Sequence, residues 1–108
     1  MGLTKTSIYS QEHNQMANLL KALAHPARVA ILEHLLATDA CICGDLVKEL
    51  GLAQPTVSQH LKEMKNAGII KGTVEGNALC YCLDENTIAL LKKYFEKIVG
   101  TLENKKCC

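Results

Sequence analysis

At 108 residues the chain has room for one small domain, and its 48% hydrophobic content suits a packed core helped by burial against a second copy. Twelve basic against eleven acidic residues leave a formal charge of +1, so the strongly basic footprint of many nucleic-acid binders is missing. No window approaches a membrane span of about 18 apolar residues. The opening MGLTKTSIYS lacks the apolar run of a secretory signal, which points to a cytosolic (cytoplasmic) protein without a membrane partner. Gly2 with Thr6 fits a myristoylation pattern, a short motif that arises readily by chance.

The first predicted helix covers Asn14 to Ala24, with Met16, Leu19, Leu20 and Leu23 apolar. Pro26 opens a second helix that runs to about Ala37, with Ile31, Leu32 and Leu35 inward. A short extended segment, Cys41-Ile42-Cys43, follows. Leu46, Val47 and Leu50 then give a brief helix its apolar face, and Gly51 suits a left-handed helix end. Pro55 marks the start of the next helix, whose inner face carries Val57, Leu61 and Met64. Its outer face is left to Gln54, Thr56, Ser58, Gln59, His60, Lys62 and Lys65. Amide, hydroxyl and imidazole groups near a helix start suit base edges, and lysines further along suit phosphates. Two helices around a glycine turn are also a common core motif. The β-hairpin that follows favours the DNA-reading alternative: Ile69 to Val74, a Glu75-Gly76-Asn77 turn, then Ala78 to Leu83. Lys71 on the first of these strands adds a phosphate contact, whereas Glu75 at the tip opposes one. Over residues 54–76 three lysines face two glutamates.

A last helix, about Glu85 to Leu102, places Ile88, Leu91, Phe95, Ile98 and Leu102 at alternating spacings of three and four. That seam fits either an intramolecular core or a lengthwise contact with another helix. A two-fold contact between copies, built from Leu19 and Leu23 of the first helix and these five residues of the last, is the preferred expectation. It would set two recognition helices about one DNA turn apart on a near-palindromic duplex. The fold class is therefore mainly α with a small β-hairpin. It is a winged helix-turn-helix in the order helix, helix, strand, helix, helix, strand, strand, helix. Residues 1–12 form a flexible arm, 13–103 the DNA-binding and dimerisation domain, and 104–108 a flexible tail with cysteines.

Six cysteines in a cytosolic chain ask for a role other than stapling. They come as Cys41-x-Cys43, Cys80-x-Cys82 and Cys107-Cys108. In a winged helix the segment holding the first pair lies beside the second wing strand, which holds the second. Residues two apart on a strand share a face, so a matching register would gather four sulfurs. Thiolates select zinc, cadmium, copper(I) and trivalent arsenic or antimony. The plain alternative is that cysteine packs as a small hydrophobe. Of the histidines, His60 is read as facing DNA, His34 as a surface or satisfied group, and His13 as an extra candidate ligand on the arm. No nucleophile–base pair, phosphate loop or H-E-x-x-H helix argues for an enzyme.

The run LKALAHPARVAILEHLL, the segment QPTVSQHLKEM and the closing hairpin together resemble the ArsR-type family of arsenical-resistance and metal-sensing repressors. The resemblance extends from about Gln15 to Leu102, most specifically in His25-Pro26-x-Arg28 and Gln54-Pro55-x-x-Ser58-x-His60-Leu61. It implies a homodimeric winged-helix repressor that needs no cofactor and leaves its operator when a thiophilic inducer binds. Arsenite or antimonite is the expected inducer, with Cd(II) or Zn(II) as further options. Arsenic- and cadmium-responsive members carry a C-x-C at the helix that Cys41 and Cys43 precede. Counted back from Pro55, the pair here lies one residue earlier, with Gly44 and Val47 where cysteines occur in such members. Further ligands must then come from Cys80 and Cys82, or from Cys107 and Cys108. The family's alternative site along the last helix lacks its histidines here. A thiol-redox or persulfide switch on the same fold, and a small thiolate metal-binding module, are the rival functions.

Overall fold

The computed structural model describes residues 8–37, 42–43, 46–75 and 78–105. The elements run α1 (Gln11–Leu23), α2 (Pro26–Leu36), β1 (Ile42–Cys43), α3 (Leu46–Leu50), α4 (Gln54–Asn66), β2 (Ile70–Glu75), β3 (Ala78–Leu83) and α5 (Glu85–Glu103). This is the expected order of a winged helix-turn-helix.

Caps set most of the helix limits. The Ser10 hydroxyl accepts the His13 N–H at 3.0 Å, so α1 begins at Gln11. A boundary at residue 13 therefore falls inside the helix, and His13 sits in its first turn instead of on an arm. His25 caps α2 through Nδ1, which accepts the Ala27 N–H at 3.0 Å, with Pro26 next. Asp84 caps α5 doubly, accepting from Asn86 N–H and Thr87 N–H. Gly51, which follows α3, has φ +65°, as its expected terminating role requires. A second glycine, Gly68 at φ +85°, closes α4: its N–H donates to the Lys65 carbonyl and the Ile69 N–H to that of Met64, both at 3.0 Å. That pair of bonds is a Schellman end, and it turns the chain directly into β2.

The three strands form an antiparallel sheet in the order β1-β3-β2. Ile42 lies opposite Tyr81 and Cys43 opposite Cys80. The wing pairs Ile70 with Leu83 through to Glu75 with Ala78. Leu19 and Ala22 of α1, Ile31 and Leu35 of α2, Leu46 of α3, and Val57, Leu61 and Met64 of α4 make the core. Ile69, Ile70 and Leu91 complete it. Met64, Ile31 and Ile69 are fully enclosed, which fixes α4 against the rest of the molecule.

This core corrects part of the expected dimer seam. Leu19 and Leu91 are buried within the chain, and Leu23 and Ile88 pack against the same cluster. Phe95, Ile98 and Leu102 remain exposed, joined by Leu90, Tyr94 and Val99 on the same helix and Leu20 on α1. The physical reason is length. α5 extends over 19 residues, and only its first turns lie over the small core.

Candidate nucleic-acid interface

α4 presents a clean division. Val57, His60, Leu61 and Met64 are buried, while Gln54, Thr56, Ser58, Gln59, Lys62 and Lys65 are exposed. Lys71 on β2 is exposed as well. The N-cap, Ala53, offers no side-chain acceptor, and Pro55 carries no N–H. The first turn thus keeps backbone donors for an outside partner at the positive end of the helix dipole. On the outward face, Gln59 Nε2 donates to Glu63 Oε1 at 3.2 Å, one turn further along.

His60 departs from expectation. Its side chain is 9% exposed and turns inward, so the expected contact with DNA bases is corrected. Arg28 Nε donates to His60 Nδ1 at 3.0 Å, and Arg28 Nη1 donates to the Ala22 carbonyl at 3.1 Å. The third guanidinium nitrogen, Nη2, forms an ion pair with Glu63. The His25 ring lies against that of His60, centroids 4.4 Å apart. Burial first, then the neighbouring charges of His25 and Arg28, hold the His60 imidazole below its ordinary pKa. One arginine therefore ties the end of α1, the start of α2 and the back of α4 together. Residues 32 positions apart cannot be paired from spacing, although both ends stand in the segments that are most distinctive in the sequence.

On the sheet, the expected thiol register appears in the backbone. Cys43 and Cys80 are direct partners across β1 and β3, and Cys82 shares the face of Cys80. Cys80 is buried and Cys82 half-buried. Both are disulfide-bonded, which departs from the thiolates expected of them. Lys71 is the cross-strand partner of Cys82, so a basic residue distant in sequence stands beside this sulfur in the sheet. Cys41, Cys107 and Cys108 lie outside the described residues, as does the side chain of Cys43. Among the described residues no three His, Cys, Asp or Glu side chains converge as metal ligands. His13 instead packs edge-on near Tyr9, with centroids 6.4 Å apart.

Comparison with known proteins fits this geometry. The family model for "Bacterial regulatory protein, arsR family" matches residues 25–71, from the α2 cap to β2. The HTH-type transcriptional repressor SmtB of Mycobacterium tuberculosis is 42% identical over 71 residues, covering 66% of this chain. The match spans 52% of that repressor, about half its length. A biofilm growth-associated repressor of Xylella fastidiosa is 33% identical over 92 residues, 85% of this chain and 80% of the relative. Among solved structures, the cadmium metal-sensor CMTR of M. tuberculosis is 38% identical over 68% of this chain and 75% of its own. It superposes with a TM-score of 0.55.

Proposed function

Because the chain belongs to the arsR family of bacterial regulatory proteins, we propose that it represses transcription as a dimer and is released from its operator by chemistry at the cysteine ribbon. The observation that carries this reading is the division of α4: an apolar face locked into the core and an outward face of Gln54, Thr56, Ser58, Gln59, Lys62 and Lys65. Such a face suits a major groove, with amides and hydroxyls toward base edges and lysines toward phosphates. Lys71 of the wing adds a backbone contact. The partners are double-stranded, near-palindromic operator DNA and a second copy docked through α1 and α5.

The inducer is a thiophilic metal or metalloid, with arsenite or antimonite preferred over Cd(II) and Zn(II). The donor set fits such an ion once the sulfurs are reduced. The strand register gives positions 43, 80 and 82 one face of the sheet, and Cys41 adjoins them in sequence. Cys107 and Cys108 would add further sulfurs. Only two residues separate β1 from α3, and α3 packs on α4. A change in how β1 is held against β3 therefore acts at the base of the reading helix. Coupling between inducer and operator sites typically weakens binding about 5–150-fold.

A second reading, thiol-redox or persulfide sensing, is favoured by one feature: Cys80 and Cys82 are already oxidised. Titration of labelled duplex with fully reduced protein separates the two. Metalloid sensing predicts release by arsenite under reducing conditions, lost when Cys41 and Cys43 become serine. Redox sensing predicts release by peroxide or polysulfide with chelator present. A protein that binds no duplex would be a thiolate metal-binding module instead.

A further inference from the structure

Arg28 lies outside the DNA-facing surface, yet it makes the bonds that hold the reading helix in place. From α2 its guanidinium reaches α1 at the Ala22 carbonyl and α4 at both His60 Nδ1 and the Glu63 carboxylate. The Arg28 side chain is 14% exposed, so its bonds to His60 and Ala22 are partly shielded from water, while Glu63, at 44%, meets it from the exposed side. A planar fork holds its donors at fixed angles toward three partners, whereas an ammonium is a compact point charge on a flexible stem. We propose that Arg28 is the positioning residue of the recognition helix, and that its hold depends on His60 staying neutral so that Nδ1 can accept. The proposal rests on the operator-binding reading above.

The dependence follows from the donors and acceptors of the ring. A protonated imidazole has two N–H donors and no acceptor. Protonation of His60 would remove the Arg28 bond and leave two cations in contact. The surrounding charges are few. Arg28 and His25 come from α2 and its cap, and Glu63 from α4 itself. Lys21 lines the adjoining groove of α1. α3 and β2 carry the exposed Lys48, Glu49 and Lys71. Glu63 would favour the imidazolium, but its carboxylate is already paired with the Arg28 guanidinium.

Linkage sets the sign. The folded-state pKa of His60 lies below its ordinary 6.5, so a loosened state binds more protons in acid. The docked arrangement is at full strength above about pH 6.5 and weakens as the pH falls below that value. The general trend for a DNA-binding protein is opposite, because histidines that gain charge strengthen attraction to phosphates.

The test uses a labelled duplex selected from a random library by the full-length reduced protein, with Kd measured at about pH 7.5 and about pH 5.5. Wild type is expected to bind about 5-fold or more weakly at the lower pH. His60→Asn keeps an acceptor near the Nδ1 position and cannot titrate, so it should lose the acid weakening and bind at the lower pH as tightly as at the higher, or more tightly, whatever its absolute affinity. Arg28→Lys should bind weakly at both. Should Arg28→Lys fail to fold, Glu63→Gln serves in its place, with circular dichroism at each pH confirming helix content. An acid loss of the same size in His60→Asn as in wild type overturns the proposal, as does wild-type affinity in a folded Arg28→Lys or Glu63→Gln. If wild type selects no duplex at all, the operator-binding reading itself fails and takes this one with it.

Discussion

α4 and α5 are both amphipathic helices, yet they use their two faces in opposite ways. α4 buries its apolar side within the chain through Val57, Leu61 and Met64, and offers solvent a polar, lysine-bearing surface. α5 seats Leu91 in the core at 9% exposure but leaves Leu102 at 63%, with Phe95, Ile98 and Val99 between them exposed too. An uncovered polar helix face asks for a polar ligand. An uncovered apolar row along one helix asks for another protein surface. Helical periodicity is similar in both; what differs is how much core lies beneath them.

The largest expected difference between the two helices lies at the centre of the core. Met64→Ala should cost about 2–5 kcal/mol in a denaturant titration, because a fully enclosed side chain leaves a cavity. An equally large loss from Phe95→Ala in a monomeric sample would erase the distinction between the helices. Next in size is the joint change Phe95→Glu and Ile98→Glu. It should raise the dimer dissociation constant about 100-fold, or about 2.7 kcal/mol, in sedimentation experiments while monomer helicity persists. Unchanged self-association would mean the exposed row of α5 meets no second copy.

Smaller effects distinguish the helix starts. Asp84→Ala removes two capping bonds from α5 and should lower its melting stability by about 1 kcal/mol. Ala53→Asp should stabilise α4 by a similar amount, about 1 kcal/mol, since no side chain caps it now. The same carboxylate would weaken duplex binding if a phosphate lies at that turn, so stability and affinity should move in opposite directions. Smallest of all, Lys62→Gln should lower the slope of log affinity against log salt by about 1, the share of a single phosphate, with little effect on melting.

Much of this arrangement is legible in the residues. Gly51 and Pro55 place the helix-turn-helix, since each dictates backbone geometry on its own. The two strand-like runs after it place the wing; Gly76 and Asn77 of the expected turn lie outside the described residues. The Cys43–Cys80 pairing is accessible too, because a two-residue side-chain period leaves few registers. The start of α1 lies three residues before the Asn14 that periodicity suggests, as a lone Ser10 cap gives a weak signal without a matching residue in the first turn. His60 reads as outward because a polar residue at an ambiguous helical angle shows its true direction only once its partner is known.

Short-range sterics and residue spacing are enough to say which segments are helix, turn and strand, and which face of each is apolar. They do not say that Leu19 and Leu91 serve this chain's own core, that Arg28 reaches across to His60 and Glu63, or that Lys71 stands opposite Cys82. The first two are meetings of residues far apart along the chain and the third depends on the strand register, and the folded arrangement settles all three. Which distant side chains meet depends on how the helices cross and the strands order, and local propensity carries no record of that.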